Sequence, residues 1–102
     1  MKGSCLCKTV QYEVDRMDMP IVHCHCLTCQ KAQGSAFATI ASVKRADFRW
    51  TAGEASLTTY ESSPGKLRRF CSRCGTPMVA ERQGLPTVAV RAATFDEDPG
   101  VR

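Results

Sequence analysis

The chain has 102 residues, 43% of them hydrophobic and 24% charged, which fits a single small domain over 1–102. No stretch reaches the ~20 consecutive apolar residues of a membrane helix. Met1-Lys2-Gly3-Ser4-Cys5 lacks the apolar run of a signal peptide, so a soluble cytoplasmic protein with no membrane contact is expected. The formal charge of +4 is spread over scattered Lys and Arg, with only Lys44-Arg45 and Arg68-Arg69 in dense pairs, and this argues against a nucleic-acid partner.

Taken in chain order, residues 8–14 alternate, with Val10, Tyr12 and Val14 on one face and Thr9, Gln11 and Glu13 on the other. That is the pattern of a half-buried strand. Residues 15–20 read as a loop, and Ile21-Val22-His23 as a brief extended run. Residues 27–33 have room for one or two helical turns, closed by Gly34. Residues 35–43 carry Phe37, Ile40 and Val43 among alanines and best fit a buried strand. Short strands follow at 48–51 and 57–61, and Ser62-Ser63-Pro64-Gly65 marks a turn. Residues 66–70 run into Cys71, and the last strands are 77–81 and 87–92. Residues 96–102 read as a loose tail. Many short strands with regular turn signals predict a mainly β fold.

Seven cysteines fall in three clusters: Cys5/Cys7, Cys24/Cys26/Cys29 and Cys71/Cys74. The odd count, and the absence of any sign of an oxidising compartment, weigh against disulfides. Soft sulfur donors point to a metal, with zinc first. Seven thiolates subtract seven charges and two Zn²⁺ return four, so the formal charge falls to about +1, which weakens a nucleic-acid reading further.

Cys71-x-x-Cys74-Gly75 has the form of a zinc knuckle, in which two intervening residues turn both sulfurs onto one ion. Cys5-x-Cys7 can supply two more ligands and close a Cys₄ structural site. On a flat strand those two side chains stand about 6.6 Å apart, whereas sulfurs sharing one zinc stand about 3.8 Å apart, so the chain must bend there. His23-Cys24-His25-Cys26-Leu27-Thr28-Cys29 is different. It offers three thiolates with either an open fourth position, the pattern of a catalytic zinc, or a histidine closing a second structural site. An extended backbone turns His23 and His25 away from the cysteines. Lys31, Arg68, Arg69 and Arg73 are candidate carboxylate anchors, or solvated charges. A thioredoxin-like use of Cys71 and Cys74 needs a following helix, which Pro77 and the strand-like Met78-Val79-Ala80 deny.

Three motifs, in order, carry a family resemblance. They are Gly3-Ser4-Cys5-Leu6-Cys7 with Val10-x-Tyr12-Glu13; His23-Cys24-His25-Cys26-x-x-Cys29-x-Lys31 with Gly34-Ser35-Ala36-Phe37; and Phe70-Cys71-x-x-Cys74-Gly75-Thr76-Pro77. Together they resemble the glutathione-dependent formaldehyde-activating enzyme family, also called centromere protein V-like. The resemblance implies a β-tent fold of small antiparallel sheets. It implies two zinc ions per chain: a structural one on Cys5, Cys7, Cys71 and Cys74, and a second, linked to activity, on Cys24, Cys26 and Cys29. It also implies a carbon–sulfur lyase that adds glutathione to formaldehyde, giving S-hydroxymethylglutathione. The partners expected are a glutathione-like thiol and a small aldehyde, with a homo-oligomer left open. Set against the family's usual length, the chain reads as shortened at its C-terminus. A non-catalytic zinc-binding protein-interaction module of the same fold is the alternative.

Overall fold

The computed structural model describes residues 1–98. In chain order its elements are β1 (Lys2–Ser4), β2 (Gln11–Val14), β3 (Val22–Cys24), α1 (Leu27–Gln33), β4 (Ala38–Lys44), β5 (Phe48–Ala52), β6 (Leu57–Ser63), β7 (Lys66–Cys71), β8 (Pro77–Arg82) and β9 (Thr87–Arg91). The fold is mainly β, built of small antiparallel sheets, as expected. A three-stranded sheet runs in the order β1-β2-β5, and a six-stranded sheet in the order β3-β4-β9-β8-β7-β6.

The alternation of Val10, Tyr12 and Val14 has the predicted consequence, since all three side chains are fully buried. They face Ala41, Val43, Val79, Val88 and Val90 of the large sheet. The register pairs Ala41 with Val90, Val90 with Val79 and Val43 with Val88, so these apolar residues share one face. Phe48 stacks on Tyr12 at 5.3 Å between ring centres, and Trp50 meets Phe48 edge-on at 4.8 Å. Each fully buried valine contributes roughly 1.5–3 kcal/mol, so this seam between the sheets is the main source of cohesion.

The strand at 8–14 is shorter than the alternation suggests. Lys8 takes a positive φ of 67°. The Lys8 amide donates to the Cys5 carbonyl and the Cys5 amide to the Val10 carbonyl, closing a turn between β1 and β2. β1 itself carries no sequence signal, being three residues long; it exists because Lys2, Gly3 and Ser4 pair with Glu13, Tyr12 and Gln11.

Buried Tyr12 also fixes the end of β9. Its hydroxyl lies 2.6 Å from Thr94 Oγ1, and the Thr94 hydroxyl donates to the Arg91 carbonyl at 2.7 Å. Burial holds the Tyr12 phenol far above its ordinary pKa, so it stays a neutral donor.

The loose tail expected from residue 96 is corrected at its start. Phe95 bridges Gly3, and the Asp96 amide donates to the Lys2 carbonyl. The Ser4 hydroxyl donates to Asp96 Oδ1 at 2.7 Å, and Lys8 Nζ lies 3.5 Å from the same oxygen. A carboxylate beside the edge of β1 is what ties this segment down. Residues 99–102 lie outside the described residues. Among the described residues no helix is long and apolar enough to cross a membrane.

Candidate metal centres

Two groups of cysteines gather their sulfurs within 4.8 Å of one another: Cys5, Cys7, Cys71 and Cys74 in one, and Cys24, Cys26 and Cys29 in the other. All seven thiols are free.

The first group is assembled by two turns far apart in sequence. The bend after β1 brings Cys5 Sγ to 3.7 Å from Cys7 Sγ, and Cys7 Sγ lies 3.9 Å from Cys71 Sγ. Sulfurs on a tetrahedral zinc stand about 3.8 Å apart, with Zn–S bonds of about 2.3 Å, whereas a disulfide needs about 2.05 Å. Backbone amides also point at the sulfurs: Val10 N–H donates to Cys5 Sγ at 3.3 Å and Arg73 N–H to Cys71 Sγ at 3.4 Å. Gly75, at φ 78°, turns the chain so that its amide reaches the Cys71 carbonyl at 2.8 Å. Thr76 joins the two halves. Its Oγ1 accepts from Leu6 N–H at 3.1 Å and lies 3.2 Å from Cys74 Sγ. Thr76 pulls the Cys74 thiol down to about 5 through its hydroxyl and then its amide. The Thr9 hydroxyl lowers Cys7, while burial raises Cys5. The donor set, spacing and amide orientation fit a closed thiolate site for a soft divalent metal.

The second group is local. Cys24 ends β3, and Cys26 is the N-cap of α1, with φ −66° and ψ 154°. The Cys26 sulfur accepts from Cys29 N–H at 3.4 Å. That cap places the sulfur of Cys29, on the first turn of α1, beside the other two, and Cys24 Sγ lies 3.6 Å from Cys26 Sγ. Gly34 closes the helix in the left-handed conformation, as expected, with its amide on the Gln30 carbonyl. Cys26 is exposed and Cys29 is buried. The amide of Cys29 pulls the Cys26 thiol down to about 7. Burial and then the neighbouring Cys24 and Cys26 thiols raise Cys29, with Arg68 acting against them as a hydrogen-bonding cation. These three sulfurs also fit a thiophilic metal, with one ligand fewer.

Among the described residues neither histidine belongs to this group. His23 and His25 stack instead on Phe37, at 4.8 and 5.1 Å between ring centres. The candidate anchors divide. Arg69 pairs with Glu81 at 3.4 Å, on the side of the small sheet. Arg68 lines a pocket of about 300 Å³ that reaches Ala32 and Gln33 at the end of α1. Arg73 lies in the turn between Cys71 and Cys74, and Lys31 is exposed on α1. Two residues were given no role by the sequence reading. Thr76 had only its place after the CxxC-Gly run as a signal. Arg91 had none, because nothing in Thr87–Arg91 marks its terminal Arg as buried.

Residues 1–102 match the family described as glutathione-dependent formaldehyde-activating enzyme. A crystal structure of a Rhodobacter sphaeroides protein superposes with a TM-score of 0.81 at 28% identity, over 98% of this chain and 93% of that one. Among curated proteins none matches. A family match that spans every residue, over a fold shared with that bacterial protein, shows that the chain belongs to the glutathione-dependent formaldehyde-activating enzyme family.

Proposed function

We propose that the chain holds two zinc ions, a structural one on Cys5, Cys7, Cys71 and Cys74 and a second on Cys24, Cys26 and Cys29. We further propose that the second site adds glutathione, or a similar thiol, to formaldehyde or a related small aldehyde, as a carbon–sulfur lyase. The observation that carries this reading is the unequal ligand count, four sulfurs against three, in a chain of this family.

The chemistry a zinc ion supplies at an open fourth position is a lowered pKa for an incoming thiol. Three thiolates and one divalent ion leave the site at about −1, which dampens Lewis acidity and favours thiol placement over carbonyl polarisation. The protein's own part is to shape the approach. Exposed Cys26 marks the rim, where its sulfur is pinned by the Cys29 amide. Buried Cys29, with Arg68 beside it, forms the inner side. In the addition the thiol sulfur bonds to the aldehyde carbon and the C=O pair moves to oxygen. That oxygen takes up one proton for the one the thiol lost, so no further reactant is needed.

The test mixes zinc-loaded protein, glutathione and formaldehyde and follows exchange between free and hydroxymethylated thiol by NMR. Exchange faster than in buffer, with two zinc ions per chain by elemental analysis, supports the reading. No acceleration with both zincs present removes the lyase.

A further inference from the structure

The face of the large sheet turned away from the small one is not apolar. The register pairs Tyr60 with Arg68, Arg68 with Ala80 and Ala80 with Ala89, so these side chains share that face. Arg91, two residues after Ala89 on β9, shares it as well. Tyr60, Arg68 and Arg91 line one pocket of about 300 Å³ together with Ala32 and Gln33 at the end of α1.

Arg91 is only 3% exposed, yet its Nη1 has no hydrogen-bond partner among the described residues, and neither does Nη1 of Arg68. The carboxylates that pair with arginines among the described residues lie elsewhere: Glu81 with Arg45 and Arg69, Glu13 and Asp15 with Arg49, and Asp47 with Arg16. Lys66 adds to the same positive field, since its ammonium is depressed by burial and then by Arg68, Arg91 and Arg82. The thiolates of the second group offset part of this charge, because Cys29, Cys24 and Cys26 each act on Arg91. With a divalent ion bound, that group carries only about −1 against two guanidinium charges. A buried guanidinium with an unused N–H costs free energy until an anion meets it. Its fork of donors matches a carboxylate.

We propose that Arg91 and Arg68 form a carboxylate-binding subsite that seats an acidic end of the thiol substrate in this pocket, beside the second cysteine group. The inference rests on reading that group as the thiol site and adds which thiols it accepts. Acidic thiols are held at two points, by sulfur and by carboxylate; neutral thiols are held only by sulfur. Tyr60, 65% exposed at the mouth, offers a ring for the stem between the two ends.

The test uses the zinc-loaded 102-residue chain and two probes. S-methylglutathione keeps the carboxylates but has no free thiol; 2-mercaptoethanol has a thiol and no carboxylate. Binding of each is measured by calorimetry for wild type, Arg68→Gln and Arg91→Gln, with circular dichroism to confirm folding. Arg68→Gln, at the more accessible position, keeps the test decisive if Arg91→Gln does not fold. The expected result is a loss of at least about tenfold for S-methylglutathione, whose binding to wild type is also weakened by added salt, with a clearly smaller loss for 2-mercaptoethanol. Wild type that does not bind S-methylglutathione, variants within twofold of it, or equal losses for both probes would each overturn the subsite. The thiol-site reading is scored separately, by whether Cys29→Ala abolishes 2-mercaptoethanol binding.

Discussion

The two cysteine groups share thiol donors and little else. One is drawn from both ends of the chain, with Cys7 and Cys71 64 positions apart, and its sulfurs are bolted down by amides and by the Thr76 hydroxyl. The other is confined to the link from β3 to α1, has three sulfurs, and leaves Cys26 exposed. Distance along the chain decides what each can do. On the proposed two-zinc reading, an ion held from opposite ends would tie the sheets together and its loss would cost the fold, whereas an ion held on one short connection would be free to serve a reaction.

The sharpest break in this contrast is Cys74→Ala. Zinc binding in small metal domains is worth on the order of 10–16 kcal/mol, comparable with the whole ~5–15 kcal/mol net stability of a domain. The variant should therefore show no cooperative thermal transition by circular dichroism, and a strong chelator should do the same to the wild type. Cys29→Ala comes next. It should melt cooperatively, carry one zinc by elemental analysis, and add thiol to formaldehyde at the rate seen in buffer. If the two variants unfold alike, the division of labour is wrong.

A smaller effect refines the picture. Thr76→Val strips the Leu6 amide of its acceptor and Cys74 of its neighbour. It should cost about 1–3 kcal/mol and lower Tm, at about 4–8 °C per kcal/mol, while the rate at the second group holds. Arg49→Gln should move neither group and change Tm least. Arg49 pairs with Glu13 and Asp15 on the surface, and chiefly through its hydrogen bond it holds the Asp15 carboxyl below its ordinary range. A depressed carboxyl stabilises the fold above about pH 4 and stops doing so as acid protonates it. The small gap in Tm between wild type and variant should therefore close as pH falls through the Asp15 pKa.

What could be read from the residues alone were features with a local cause. Val10, Tyr12 and Val14 announce a buried face by their spacing, and Gly34 announces the end of a helix. Features caused by distant pairing left no such mark. β1 is a strand only because β2 lies beside it. Arg68 and Arg69 look like one charge pair, yet as neighbours on β7 they point to opposite faces, Arg69 pairing with Glu81 and Arg68 donating to the Ser62 hydroxyl. Arg91 looks like a residue at a strand end, yet it is only 3% exposed. The stacking of His23 and His25 on Phe37 needs β3 paired to β4, which no local pattern fixes.

The long span closed by Cys5, Cys7, Cys71 and Cys74 also sets an order of events as the chain is made. The entropy of bringing remote segments together must be met before the four sulfurs can cooperate. During synthesis that cannot happen until Cys74 has left the ribosome, when most of the domain is already out. Cys24, Cys26 and Cys29 emerge long before and need no remote partner. A nascent chain should thus capture its first metal ion at the site that contributes least to its shape.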